Sequence, residues 1–212
     1  MPRAASRPLA RRSCRTLGPV ANLVVIVGPP ASGKAAVGLA LSQLTGFRFF
    51  HNHMTAEPVA ALFGWGTAAY SEVASQVRLS LLGKALDEPN MPSIIFTFVW
   101  AFDLKEDCQF MAQLVELFRS KGKTVFFVEL SASLRARIAR EGTPLRLALK
   151  PAKQDVERAR ALHLETDGKY RMNSANDFPY PESYLVVDTE ALSPSEAALK
   201  VAHHFQFPYA GT

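Results

Sequence analysis

The stretch that decides the fold is IVGPPASGK, Ile26 to Lys34, followed by Ala35 and Ala36. Its spacing is that of the phosphate-binding loop GxxxxGK, whose glycines let backbone N–H groups converge on a polyphosphate. Before it, LVVIV (Leu23 to Val27) is short, wholly apolar and β-branched, as a parallel strand buried on both faces is. After it, KAAVGLALSQLTG reads as a helix closed by Thr45 and Gly46. The bare motif is common by chance, but a strand before it and a helix after it make it specific. Gly28, Pro29, Pro30, Ala31, Ser32, Gly33, Lys34 and Ala35 are therefore expected to cradle nucleotide phosphates at the positive end of the helix dipole. Lys34 is expected to reach the β- and γ-phosphates as a point charge. The motif ordinarily ends in Ser or Thr, whose hydroxyl ligates Mg²⁺, and Ala35 has no hydroxyl.

Outward from the loop, strand-like and helix-like stretches alternate. FRFF (47–50), SIIFTFVW (93–100), TVFFVEL (124–130) and YLVVD (184–188) read as four more strands. Helices are expected over about 55–63 and 68–87, separated by GWGT, and over about 133–140. Another is expected to end near Lys121, with Asp103 and Glu106 as a capping-box-like start. A last one opens with Ser193, Pro194 and Glu196 as a full capping box. Five strands separated by helices, without internal repeats, predict an α/β fold with a five-stranded doubly wound parallel sheet. Residues 1–20 read as a basic tail and 21–212 as one domain, with an acceptor-side helical insertion at about 52–90 and a lid at about 140–155.

Composition narrows the partners. With 48% apolar residues and a mean hydropathy of +0.03, the chain reads as a soluble globular protein. Its longest apolar runs are strand-sized, so no membrane span is expected. The net charge of +5 hints at nucleic acid until it is located. Five of the 24 basic side chains, Arg3, Arg7, Arg11, Arg12 and Arg15, fall in the tail, which leaves 19 against 19 acidic ones. The domain is balanced, and no nucleic-acid partner is expected. Cys14 and Cys108 are too few for a disulfide framework or a zinc site, which makes the cytoplasm the expected location. The acid-free, Arg-rich tail reads as a disordered extension, with an organelle transit peptide as the alternative.

In a doubly wound sheet, ligands sit at the carboxyl ends of the strands. After the second strand comes HNHM, which carries two imidazoles, His51 and His53, able to lie on one side if the chain stays extended. The tripeptide HNH is no evidence for a nuclease. Small-molecule P-loop kinases often hold acids here, and a neutral imidazole can accept a hydroxyl proton near pH 7. His51 and His53 are thus acceptor-site candidates and His53 the candidate base, the alternative being that both pack and cap the loop. After the fourth strand, Arg135, Arg137, Arg140, Arg146, Lys150 and Lys153 crowd together, with EGTP breaking the helix among them. Arg140 and Arg146 are the candidates to close on a transferring phosphoryl group; a solvated basic face is the competing reading. Arg78 could grip an anionic acceptor bidentately, or pair with Glu72 or Glu88 at the surface. Asp103 could hold Mg²⁺ through water or serve only as a cap.

GPPASGK leading into LTGFRFFHNHMT resembles a branch of P-loop kinases described as shikimate-kinase-like or AAA-type ATP-binding proteins. The resemblance runs from Leu23 to Phe207 and takes in Arg78-Leu79, IFTFV (95–99), REGTPLRLALKPAK (140–153), DFPYP (177–181) and VDTEALSP (187–194). It implies ATP as cofactor, accompanied by Mg²⁺, and a lid over the phosphates. It brings Asn173, Asn176 and Asp177 to the site, although turn-forming residues need no such reason, and sets DTEALSP beside the adenine. The expected function is phosphoryl transfer from ATP to a small anionic or hydroxylated metabolite, by a monomer or homodimer. No guanine-reading NKxD occurs, which favours ATP. The alternative is a nucleotide-binding module whose catalysis is weak because Ala35 stands where the hydroxyl belongs.

Overall fold

The computed structural model describes residues 21–141 and 156–209. Five strands, β1 (Leu23–Val27), β2 (Arg48–His51), β3 (Ile94–Thr97), β4 (Val125–Ser131) and β5 (Tyr184–Asp188), form one parallel sheet in the order β2-β3-β1-β4-β5. The helices are α1 (Lys34–Thr45), α2 (His53–Phe63), α3 (Ala68–Asp87), α4 (Lys105–Arg119), α5 (Leu134–Ala139), α6 (Val156–Lys169) and α7 (Pro194–His204). The doubly wound parallel sheet read from the sequence is the sheet observed.

Burial on both faces explains why β1 is apolar throughout. Leu23, Val25 and Val27 point to one side and pack with Leu82 of α3 and Phe110, Met111, Leu114 and Phe118 of α4. Val24 and Ile26 point to the other, against Val37 and Leu41 of α1 and Ala197, Ala198 and Val201 of α7. Gly38 lets α1 lie directly on β2, since a Cβ there would sit 2.5 Å from Cε2 of Phe49.

The helix ends correct two expectations. The box at Ser193 and Glu196 forms as read, but α4 has Leu104 at its N-cap and no side-chain cap bond. Both carboxylate oxygens of Asp103 instead accept the Arg171 N–H at 3.0 Å. Asp107, one turn further on, accepts the Ala101 N–H at 2.9 Å. The second correction concerns HNHM: β2 runs to His51, Asn52 takes a helical conformation (φ −49, ψ −39), and α2 starts at His53. Helix α6 lies in a stretch for which the sequence suggests no element, because its polar, evenly charged composition shows no apolar stripe.

A lone acid inside an apolar strand fixes the segment after α6. Glu129 of β4 is buried and accepts from Asn173 Nδ2 (2.7 Å), the Ser174 N–H (2.9 Å) and Tyr184 Oη (2.6 Å). Such fully satisfied bonding is what allows a carboxylate in the core. Burial and then the bond to Glu129 push the Tyr184 hydroxyl pKa upward. Phe178 stacks on Tyr184 at 3.9 Å and edges against Trp100, so DFPYP is pinned by packing. Asn173 is thereby spent on Glu129, while Ala175 and Asn176 carry the positive φ (52° and 70°) of a tight turn. Among the described residues no helix is long and apolar enough to cross a membrane. The tail at 1–20 and the expected lid beyond Glu141, with Arg146, Lys150 and Lys153, lie outside the described residues.

Candidate active site

The phosphate loop fills the gap between β1 and α1. Gly28 has φ +136°, and a Cβ there would meet the Leu130 carbonyl oxygen at 2.4 Å, so only glycine fits against β4. Ala31 (φ 59°) and Gly33 (φ 96°) complete the curl. Gly33 caps α1 without a side-chain bond, and no acid occupies the first turn, which leaves the leading N–H groups to an anion. The Lys34 ammonium is drawn into the loop, donating to the carbonyls of Gly28 (2.7 Å) and Pro29 (2.6 Å), with Ser32 Oγ at 3.5 Å. To touch a phosphate it must exchange those carbonyls for phosphate oxygens, a swap between charge-assisted bonds.

Thr189, just after β5, ties the loop to the stem of the expected lid. Its N–H bonds to the Ser131 carbonyl, and its Oγ1 reaches the carbonyls of Ser32 (2.9 Å) and Ser131 (3.1 Å). Arg140, at the end of α5, donates to Thr189 Oγ1 (3.1 Å) and to its carbonyl (2.5 Å). Arg140 Nη1 then lies 4.0 Å from where a Cβ on Gly33 would sit, at the mouth of the loop. The neighbouring cations divide by helical position. Arg135 is exposed, whereas buried Arg137 pairs with Asp167 and donates to the Ala132 carbonyl at 3.2 Å. One turn along, just past α5, buried Glu141 meets His163, so two side-chain contacts in antiparallel order join this end of α5 to α6.

At the end of β2 the imidazoles of His51 and His53 lie 6.5 Å apart although the chain has turned helical between them. The Asn52 N–H donates to Thr97 Oγ1 at 3.2 Å, which fastens this corner to β3. His53 Nδ1 lies 3.0 Å from Glu57 Oε1, one helical turn on. In the tautomer that donates Nδ1–H to Glu57, Nε2 carries the lone pair. Trp65, from GWGT, brings its indole to 5.9 Å from the His53 ring and 5.2 Å from Tyr70.

Arg78 corrects the surface alternative. It is 5% exposed, lies over the rings of Phe98 (5.7 Å) and Phe110 (5.5 Å), and pairs with neither Glu72 nor Glu88. Glu72 accepts from Gln76 instead. Burial lowers the Arg78 pKa, opposed by Tyr70, its side-chain hydrogen-bond partner, and by the charge of Asp107. The Asp107 carboxyl is pushed up to about 6 by burial, against the Ala101 N–H bond and the Arg78 charge. Arg78 Nε has no hydrogen-bond partner among the described residues, a donor left at the inner wall of this corner.

The oxygens that the sequence offered to Mg²⁺ are missing or engaged in protein contacts. Ala35 offers no oxygen, Ser32 is 0% exposed with its hydroxyl beneath the Lys34 ammonium, and Asp103 holds Arg171 with both oxygens. No group of three or more His, Cys, Asp or Glu among the described residues could hold a metal ion. Glu57, Trp65, Tyr70 and Glu129 escaped the sequence reading as site or support residues, and Thr189 entered it only as part of DTEALSP. Only two of them carried a usable signal: Glu57 stands at i+4 from His53, and Glu129 is a lone acid in an apolar strand.

No family model matches the chain, and no curated protein matches it. Solved structures do. A sugar kinase from Janibacter sp. HTCC2649 superposes with a TM-score of 0.54 at 14% identity, covering 88% of this chain and 95% of that one. A gluconokinase from Sinorhizobium meliloti 1021 gives 0.52 at 15%, covering 89% and 98%. The Deinococcus radiodurans tunicamycin resistance protein gives 0.54 at 17%, covering 91% and 100%. At such identities the likeness is one of fold: the chain shares the α/β architecture of these structures, a five-stranded parallel sheet flanked by helices.

Proposed function

We propose that this chain is an ATP-dependent phosphotransferase for a small hydroxylated acceptor. The observation that carries the reading is convergence. The glycine-shaped loop, the cationic pair Lys34 and Arg140, and the His51/His53 corner all lie at the carboxyl end of one parallel sheet, where such folds bind ligands. The fold shared with a sugar kinase and a gluconokinase agrees with it. ATP phosphates rest on the loop from Gly28 to Ala35, whose non-proline residues supply the N–H groups. His53 Nε2 takes the proton of the acceptor hydroxyl, and that oxygen attacks the γ-phosphorus. The bond to the β,γ-bridging oxygen breaks, and ADP leaves with the electron pair. Lys34 and Arg140 neutralise the charge spread over the transferring group, and Arg146 joins them from the lid. His51 and Arg78 orient the acceptor. Asp103 is not assigned to the metal, and no step is drawn through one.

Ala35 supports a second reading, a nucleotide-binding module with weak catalysis. Acceptor-dependent ADP release across a metabolite panel separates the two. The kinase reading expects release that Lys34→Ala lowers by about a hundredfold or more and that Ala35→Thr holds or raises. ADP release indifferent to Lys34 would sink the mechanism, and ATP binding without any acceptor dependence would favour the module.

A further inference from the structure

We propose that Trp65 is the stacking platform of the acceptor pocket and that the acceptor is cyclic, a pyranose or cyclitol ring rather than an open-chain polyol. The inference rests on the reading of the His53 corner as the acceptor side. GWGT places Trp65 between Gly64 (φ 76°) and Gly66 (φ 75°), so the chain turns sharply on both sides and thrusts the indole outward. The side chain returns along α2 to lie 5.9 Å from the His53 ring, tilted 51°, and 5.2 Å from Tyr70, also tilted 51°. Neither neighbour lies parallel to it, and Trp65 stays 52% exposed. The other tryptophan, Trp100, is 2% exposed in the core.

A large exposed aromatic beside a candidate base is what recognition of an amphipathic ring requires. A six-membered polyol ring presents a face of C–H bonds and a rim of hydroxyls. Laid on the indole, it buries that face and turns rim hydroxyls toward His53. An open-chain polyol rotates about each carbon–carbon bond and offers no lasting flat face, so an indole gives it little. The wall continues inward through Tyr70 to Arg78, whose Nε is unpartnered among the described residues, so polar recognition lies beyond the platform. The specificity-determining residue is therefore Trp65, which touches the acceptor but takes no proton.

The test measures equilibrium binding to the full chain, with no need for turnover. The cyclic probes are D-glucose, myo-inositol and shikimate; the open-chain probes are D-sorbitol and D-gluconate. Each is titrated to millimolar concentration with saturating non-hydrolysable ATP analogue, by calorimetry and by tryptophan emission. The expected result is saturable binding of at least one cyclic probe with a change in emission. Binding should weaken about tenfold in Trp65→Leu and recover largely in Trp65→Tyr. Unchanged melting of both variants shows that the fold is intact, since an exposed loop side chain supports little of it. Preferential binding of an open-chain probe, cyclic binding indifferent to Trp65→Leu, or no binding by any of the five overturns the proposal. Lys34-dependent ADP release with some other acceptor would leave the kinase reading standing after such a failure. Loss of that dependence would sink the kinase reading instead, whatever Trp65 does.

Discussion

Gly28→Ala tests the geometry on which the phosphate loop depends. The new methyl group would stand 2.4 Å from the Leu130 carbonyl oxygen, a backbone atom of central strand β4. Normal contact needs about 1 Å more, and no side-chain rotation can supply it. The φ of +136° adds strain of about 1–3 kcal/mol for an L-residue, and forcing β1 from β4 adds about 1–3 kcal/mol. A combined cost near 4 kcal/mol corresponds to a fall in Tm of about 8–16 °C for a chain of this size. Because the displaced N–H groups are those that face phosphate, ATP affinity should fall with stability. Gly38→Ala is the matched control. Its methyl meets only the half-exposed ring of Phe49, at 2.5 Å, and that ring can swing away on an edge strand. Helix propensity returns about 1 kcal/mol there, so Tm should move by a few degrees at most and ATP affinity should not change. Thermal melts and ATP titration of both variants decide the matter. Equal losses in the two, or a Gly28 variant that binds ATP normally, would refute the argument that the loop is held by its approach to β4.

Two further outcomes follow from buried polar groups. Thr189→Val removes the hydroxyl shared by Ser32, Ser131 and Arg140 and should cost about 1–3 kcal/mol; ATP binding should weaken, and Thr189→Ser should restore both. Wild-type melting and affinity in the valine variant would remove Thr189 from the site. Asp107, raised from 3.8 to about 6, binds its proton more tightly folded than unfolded, so it favours the folded state at low pH. That contribution, about 3 kcal/mol at most, is lost as pH rises through about 6. Asp107→Asn should flatten the stability profile between about pH 4 and pH 6 in denaturant titrations, and an unchanged slope would contradict the assigned burial.

The parts of this fold that were legible in the sequence are those where local pattern and burial agree. LVVIV is apolar because both faces of β1 are covered, and Ser193, Pro194 and Glu196 form their box because each bond is local. Asp103 failed for the opposite reason. Its partner, Arg171 N–H, is far away in sequence, and a distant donor outcompeted the local cap. Arg78 shows the same limit: in α3, whose apolar stripe is weak, the sequence leaves it open between an acceptor grip and a surface ion pair until Phe98 and Phe110 are packed against it. The phosphate loop could be read because its chemistry is mostly backbone and its signal is glycine spacing. Thr189 could not, since nothing local marks a threonine that bridges Arg140 at the end of α5 to a loop 157 residues earlier.

Two departures from the usual loop pattern point the same way. Ala35 leaves the start of α1 without a side-chain oxygen, and imidazoles, not carboxylates, stand at the end of β2 in His51 and His53. Each change takes away a site for a hard cation, and neither disturbs the N–H cradle or the cations around it. Arg140 already rests on Thr189 at the mouth of the loop, and Lys34, held by the Gly28 and Pro29 carbonyls, needs only to exchange them for phosphate oxygens when the ligand binds. Preorganised charge of that kind stabilises a transferring phosphoryl group without reorganisation at the moment of reaction. In the proposed reaction imidazoles complement it, because a base that is uncharged before it takes the proton adds no negative charge at the carboxyl end of the sheet to compete with phosphate for Lys34 and Arg140. On the proposed function, the missing hydroxyl and the paired histidines are thus one arrangement, in which protein cations and backbone N–H groups would neutralise phosphate and an imidazole would take the acceptor's proton.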